Sequence, residues 1–198
     1  MIEPNYRTSR YVLHPDTHWN TVDAFANALG WPFVHETKRS QADGTDGQMV
    51  WQSPSGLSLH YVVDAVSGIG YITLAGPDEE SVTPFATRAH EELTPWTVEE
   101  LGQRFDGESD PIERGKLTLR IGLAAPPLLH QGCFTRIQSS LGDTDPRIRL
   151  AALWAITYTG YQEFVPAVRE LAQSDPEEWI RSRAASVVTA FSSAGAAK

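Results

Sequence analysis

The sequence predicts an α+β domain, an antiparallel sheet with helices on one face, followed by an all-α domain of helical repeats. Two observations lead to this fold class. In the first part of the chain, short segments rich in β-forming residues alternate with glycine- and proline-containing turns. The last third instead shows helical periodicity and a block of sequence that occurs twice. We expect an α+β domain over residues 1–110, a helical domain over 111–192 and a disordered tail over 193–198.

The charge of the chain is unevenly shared between these parts. Residues 1–110 contain 6 Lys and Arg against 17 Asp and Glu, a net −11. Residues 111–198 contain 10 against 8, a net +2, which brings the whole chain to −9. Because an acidic surface repels a phosphate backbone, we expect no nucleic-acid partner.

The composition also indicates a compartment. A lone cysteine, Cys133, cannot form a disulfide within the chain and fits a reducing environment. The first residues lack the basic and then apolar pattern of a signal peptide. No run of about 18 apolar residues is present, so we expect no membrane-spanning helix. These observations predict a cytoplasmic protein without a membrane partner.

The first part begins with a well-punctuated helix over residues 19–29. Its apolar stripe starts at Trp19, Asp16 or Thr17 is placed to cap it, and Gly30 is placed to end it. Short segments with tight turns between them predict an antiparallel meander. The strand segments are residues 10–14, 33–38, 48–53, 57–64 and 69–75.

Two further helices precede the predicted boundary. One follows an N-cap at Ser81 and carries an apolar face as far as Leu93. The other starts at Thr97, which can form a capping box with Glu100. The acidic, glycine-containing segment 106–110 is the predicted boundary.

The last third contains an internal repeat. Residues 148–156 and 180–188 match at an offset of 32 residues, and each block follows an Asp-Pro pair. A repeat of this length built from two helices is typical of an α-solenoid. Gly122 and Pro126-Pro127 interrupt the pattern earlier in the chain. The predicted helices are residues 111–125, 134–141, 146–158, 163–173 and 176–191.

Particular residues give this repeat a family resemblance. They are the run Asp-x-Asp-Pro-x-Ile-Arg at 143–149, then Ala152 and Ala155, then Gly160 and Val165-Pro166. Over about residues 112–192 the chain resembles HEAT-like repeats of the phycobilisome-lyase type. The resemblance implies stacked helix pairs in which an Asp before a helix pairs with an Arg inside one. We therefore expect structural roles for Asp145, Arg149, Asp175 and Arg181. Residues 1–110 show no family resemblance.

The resemblance implies a non-enzymatic protein-protein interaction module, such as an adaptor, a regulator or an immunity-type inhibitor. We expect another protein as its partner and no cofactor. The inner helices of such a stack commonly supply the binding face, which here would be residues 134–141 and 163–173. The candidate binding residues are Arg136, Gln138, Arg169 and Gln173.

Other functions stay open at this point. A HEAT fold is also found in enzymes and in small-molecule or nucleic-acid binders, lyase-like or glycosylase-like, and a fold does not fix a function. The acidic chain argues against a DNA glycosylase because DNA binding needs clustered cations. A third alternative is that the antiparallel sheet binds a peptide or a secreted partner, as secretion-chaperone-like domains do.

Two residue pairs have spacings that invite a chemical interpretation. His14 and His18 would need one helix face to bind a metal, but Pro15 breaks that helix. Cys133 follows His130 by three residues, yet a lone thiol in a helical segment is more often a small buried apolar group. We predict neither a metal site nor a catalytic residue. We also favour packing over binding for Trp51, Trp96, Trp154 and Trp179.

Overall fold

The computed structural model describes residues 5–196. Its chain divides into two compact units, one ending at Trp96 and the next starting at Thr97. The elements of the first unit are β1 (Tyr6–Arg7), β2 (Tyr11–Val12), α1 (Trp19–Ala28), β3 (Phe33–Thr37), β4 (Gly47–Gln52), β5 (Ser58–Val63), β6 (Gly70–Gly76) and α2 (Glu79–Leu93). Those of the second are α3 (Val98–Gly107), α4 (Pro111–Ala124), α5 (Gln131–Leu141), α6 (Pro146–Thr159), a 3-10 turn (Gln162–Phe164), α7 (Val165–Ser174) and α8 (Glu178–Ala196).

The first unit is built on the predicted antiparallel meander. Its strands lie in the order β1-β6-β5-β4-β3, and β2 also pairs with β6. The β4–β5 and β5–β6 connections contain Gly56 and Gly68, both with a positive φ that favours glycine. β1 was not predicted. Thr8, directly after β1, continues the contact with β6: its N–H donates to the Leu74 carbonyl at 2.9 Å, and its hydroxyl accepts the Leu74 N–H at 3.1 Å.

Helices α1 and α2 contribute to the apolar core of this unit. Trp51 is fully buried, and its indole Nε1 donates a hydrogen bond of 2.8 Å to Asp23 on α1. The prediction that Trp19 is a core residue is wrong, because its side chain is 52% exposed. Trp19 is the first residue of α1, and the buried stripe of that helix starts one turn later, at Val22.

The helix starts differ from the predicted caps at two positions. The N-cap of α1 is His18 and makes no side-chain capping bond, so the assignment to Asp16 or Thr17 is wrong. Asp78 caps α2 and accepts the N–H of Ser81, because the helix starts earlier than predicted. The capping box of Thr97 with Glu100 on α3 is confirmed.

The second unit consists of three consecutive helix pairs, α3–α4, α5–α6 and α7–α8. Helix α4 packs along α6, α6 packs on α8, and α3 contacts both α4 and α5. The boundary predicted near residue 110 coincides with the α3–α4 connection, whereas the compact units divide after Trp96. α8 continues to Ala196 and so overlaps the predicted tail, of which residues 197–198 lie outside the described residues.

The contact between α4 and α6 is unusually close. A Cβ atom added to Gly122 would lie 2.6 Å from both the Cα and the Cβ of Ala155. Gly115, two turns earlier, faces Ala151 at an ordinary distance of 3.8 Å. Gly122 therefore does not interrupt the helical repeat, because its missing side chain lets the two helices meet backbone to backbone.

Within residues 5–196, no helix is both long enough and apolar enough to span a bilayer.

Candidate functional site

The predicted Asp and Arg pairing occurs inside the helical unit. The Arg149 guanidinium donates two hydrogen bonds to Asp175, from Nε at 2.7 Å and from Nη2 at 2.9 Å. The two side chains are only 8% and 1% exposed. These bonds hold the pKa of the Asp175 carboxyl below its usual value and raise the pKa of Arg149. The pair is a structural connection between repeats and offers no surface to a ligand.

A second type of arginine contact recurs near the start of α4, α6 and α8: the guanidinium donates to a backbone carbonyl six residues earlier in the chain. The Nη1 atom of Arg149 donates to the carbonyl of Asp143, six residues earlier, at 2.9 Å. Arg181 donates in the same way to the Asp175 carbonyl at 2.6 Å, which matches the predicted offset of 32 residues. Arg114 on α4 reaches the Glu108 carbonyl at 3.3 Å. Residues 5–196 therefore contain three repeats.

The first of these repeats was missed in the sequence, although it has a signal there. The pair Asp110-Pro111 stands at the start of α4, just as the other two Asp-Pro pairs stand at or before the starts of α6 and α8. The Asp110 side chain caps α4. Arg114 lies four residues after that aspartate and is 3.6 Å from Asp143. The acidic segment before Pro111 was interpreted as a domain boundary, which hid the third Asp-Pro pair.

Of the four predicted binding residues, Arg136 has internal partners. On α5 it donates to Asp106 of α3 from Nε at 3.0 Å and from Nη2 at 2.5 Å. Its Nη1 also donates to the Gly132 carbonyl at 3.0 Å. Gly102 makes room for the guanidinium, because a Cβ there would lie 2.8 Å from Cζ of Arg136. Arg136 thus connects two helices of the stack.

The other three predicted residues are exposed on the helix surfaces. Gln138 lies on α5, and Arg169 and Gln173 lie on α7. Arg169 and Gln173 are four residues apart and share one face of their helix. Phe134 of α5 stacks on Phe164 of the 3-10 turn directly before α7, with ring centroids 4.6 Å apart.

The loop between α4 and α5 presents apolar side chains to solvent. Leu128 is 84% exposed and Leu129 is 45% exposed. The Tyr161 hydroxyl lies 2.6 Å from the Pro126 carbonyl and 2.9 Å from that of Leu128, and it accepts the N–H of His130. This buried phenol fixes the loop at both ends, so Leu128 is held outward on an anchored backbone.

A second surface lies on α6 and α8. The Arg183 guanidinium of α8 stacks on the Trp154 indole of α6, with Cζ 3.4 Å from the ring centroid. Tyr158 lies one turn after Trp154, and Trp179, 44% exposed, lies one turn before Arg183. The sequence prediction that Trp179 packs in the core is wrong. Arg183 was missed because its contact with Trp154 joins separate helices.

Two residue pairs that carried a chemical interpretation have structural partners. His130 caps α5 through Nδ1, which accepts the N–H of Cys133 at 3.3 Å. Burial raises the pKa of the Cys133 thiol to about 11, so it is protonated at neutral pH and is a poor nucleophile. His14 stacks on Trp96 with ring centroids 3.8 Å apart. Within residues 5–196, no cluster of three His, Cys, Asp or Glu residues could hold a metal ion.

A cleft in the first unit lies between α2 and the strands β1 and β2. Its volume is about 330 Å³, and its walls carry hydroxyl, imidazole and carboxylate groups beside apolar side chains. The Tyr11 ring meets the His90 ring edge-on at 6.0 Å, and burial raises the pKa of Tyr11. The lining residues are Tyr6, Thr8, Tyr11, Val82, Thr83, Ala86, Thr87, His90 and Glu91.

The stacked helix pairs and their Asp and Arg connections define a helical repeat protein. Comparison with protein families agrees, because the family of HEAT repeats matches residues 98–198. The chain belongs to the HEAT repeat family. The match names HEAT repeats in general and does not single out the phycobilisome-lyase type. No curated protein and no solved structure matches the chain.

Proposed function

We propose that this chain is a protein-protein interaction module, an adaptor, regulator or immunity-type inhibitor, that binds its partner through the helical unit. The family supports this proposal because HEAT repeats are commonly protein-interaction modules. The observation that carries it is the anchored α4–α5 loop with Leu128 exposed at its tip.

The α4–α5 loop has the properties of an interaction hot spot. Burying a leucine side chain stabilises a complex by about 1.5–3 kcal/mol. A loop that is already ordered loses little conformational entropy on binding, so more of that free energy contributes to affinity. The Tyr161 hydroxyl supplies this order, because it accepts the His130 N–H and shares its one proton between the Pro126 and Leu128 carbonyls. Leu128 is therefore the residue we expect at the centre of the contact.

Polar residues of α5 and α7 supply the rim that such a contact needs. Protein interfaces typically surround an apolar centre with polar side chains that stay partly hydrated. Gln131 is exposed directly after the loop, and Gln138 continues the exposed side of α5. Arg169 and Gln173 extend the proposed surface to α7. Arg136 is excluded from it, since its guanidinium is engaged by Asp106.

The test is affinity capture from the native cell with matched variants of the full chain. Leu128→Asp should abolish capture of a stoichiometric partner protein, and the double variant Arg169→Ala/Gln173→Ala should weaken it. Ile112→Asp is the control, because Ile112 is a 57% exposed apolar residue at the start of α4, away from the loop. Undiminished capture by Leu128→Asp would exclude the loop as the binding site.

A second candidate function, peptide binding by the sheet, is favoured by β3. This strand is at the end of the sheet, so the backbone groups on one of its sides have no strand partner in the part of the chain that the structure describes. Phe33 and Val34 are about half exposed on it. Unpaired edges can accept an extended peptide as an added strand. Loss of the captured partner with Val34→Lys, and its retention with Leu128→Asp, would move the binding site to this edge.

A further inference from the structure

Arg183 differs from the other arginines near the α6 and α8 helix starts in what it contacts. Arg147 and Arg149 pair with carboxylates, and Arg181 donates to backbone carbonyls. Arg183 forms no ion pair with any residue of the described chain. Its buried Nε has no hydrogen-bond partner there either.

The Trp154 indole holds this unpaired cation in place. With Cζ 3.4 Å from the ring centroid, the guanidinium lies against the indole, and the negative face of the ring attracts the positive charge. Because the unpartnered Nε is itself buried, a ligand can reach the guanidinium only at its two terminal Nη groups, which form no hydrogen bond within the described chain. Burial accordingly lowers the pKa of Arg183, with Tyr158 acting in the opposite direction. An unpaired, partly desolvated guanidinium gains more from a carboxylate than a hydrated one does.

We propose that the surface formed by Trp154, Tyr158, Trp179 and Arg183 binds a carboxylate side chain in an extended or helical segment of a partner protein. A guanidinium matches a carboxylate through two parallel hydrogen bonds, which lysine cannot reproduce. Trp179, one turn from Arg183 on the same side of α8, offers an apolar contact beside it. The ligand is therefore an acidic residue next to an apolar one. This proposal is independent of the α4–α5 loop.

The charge of the chain decides between a single carboxylate and a polyanion. From Thr97 onward there are 11 Lys and Arg against 13 Asp and Glu, a net −2. A nucleic acid would require a cluster of unpaired cations, and a strongly acidic tail would be repelled by the net charge of −9. One carboxylate flanked by apolar residues avoids both obstacles.

The experiment uses the full-length, ¹⁵N-labelled protein and two capped peptides. One carries a glutamate between two leucines, and the other carries a glutamine in its place. The Arg183 Nε–H and the Trp154 and Trp179 indole N–H resonances report on the surface directly. We expect them to shift with the glutamate peptide, and to respond to the glutamine peptide about tenfold more weakly.

Variants make the result specific to the guanidinium. Arg183→Lys keeps the charge and the stem, so the fold should persist while the tryptophan shifts are lost. Arg147→Lys, the same change on an exposed arginine of α6, should bind as the wild type does. Trp179→Ala, at an exposed position, should also weaken binding of the glutamate peptide, because it removes the apolar contact and leaves Arg183 in place. Equal response to both peptides, an equal response to inorganic phosphate, or full binding by Arg183→Lys would overturn the proposal.

Discussion

Arg149 and Asp175 form a buried ion pair with two hydrogen bonds that connects one helical repeat to the next. The arginine lies in the first turn of α6, and the aspartate precedes α8. Asp175 also accepts the N–H of Glu177, the residue directly before α8. One carboxylate therefore orders the connection between α7 and α8 and pairs with the preceding repeat.

Replacing Asp175 with asparagine should destabilise the helical unit strongly. Asparagine keeps an acceptor for the Glu177 N–H but leaves the Arg149 charge buried without a counter-charge. Such a loss costs about 3–5 kcal/mol, which chemical denaturation would measure. Arg147→Gln is the control. It breaks the exposed pair with Asp145, and such pairs contribute about 0–1 kcal/mol. Similar unfolding free energies for both variants would contradict the structural role of Asp175.

Gly122→Ala should destabilise the protein even though alanine favours helices. The added methyl group would lie 2.6 Å from Cα of Ala155, so α4 and α6 would have to move apart. Overpacking of this kind costs about 1–3 kcal/mol. Gly115→Ala is the matched control on the same helix, with 3.8 Å to Ala151. It should stabilise by up to about 1 kcal/mol in thermal unfolding. A stabilised Gly122→Ala variant would mean that the two helices are not in close contact.

The sequence was sufficient for the local elements and insufficient for contacts between distant residues. The helix and strand segments could be predicted from the periodicity of apolar residues. The helical repeat could be predicted from the Asp-Pro pairs and Arg149, because these signals lie within a few neighbouring residues. The role of Gly122 depends on Ala155, and the role of Arg183 depends on Trp154. Each of these contacts joins two helices whose relative position no local pattern contains.

The predicted binding residues illustrate the same limit. Arg136 and Arg169 are both arginines on helices of the stack, and sequence alone does not distinguish them. The structure gives Arg136 an ion pair with Asp106 and leaves Arg169 exposed. What separates them is the glycine at position 102, which allows one guanidinium to lie against α3.

His60 should make the stability of the protein depend on pH. Gln48 lies 3.1 Å from Nδ1 and Ser58 lies 2.9 Å from Nε2, so the neutral ring has a partner at each nitrogen. Burial, with a contribution from Arg7, lowers the pKa of His60 from 6.5 to about 4. The stabilisation from the neutral ring is complete above pH 6.5 and is lost as the pH falls towards 4.

His60→Gln tests this dependence, because glutamine can hydrogen-bond but does not titrate. The unfolding free energy of the variant should change less than that of the wild type between pH 6.5 and 4. NMR titration of the His60 ring gives an independent reading, with a midpoint near 4 expected. A midpoint near 6.5 would show that the ring is hydrated in the folded protein.

Tyr161→Phe should release the α4–α5 loop while leaving the helices folded. The phenol accepts the His130 N–H and shares its one proton between the carbonyls of Pro126 and Leu128. Phenylalanine keeps the ring but loses these hydrogen bonds. Leaving these groups without a partner should cost about 1–3 kcal/mol. Amide hydrogen exchange should become faster at His130. Because a disordered loop pays more entropy on binding, partner capture should also weaken without any change to Leu128. Unchanged exchange at His130 in the variant would mean that the loop is ordered by other contacts.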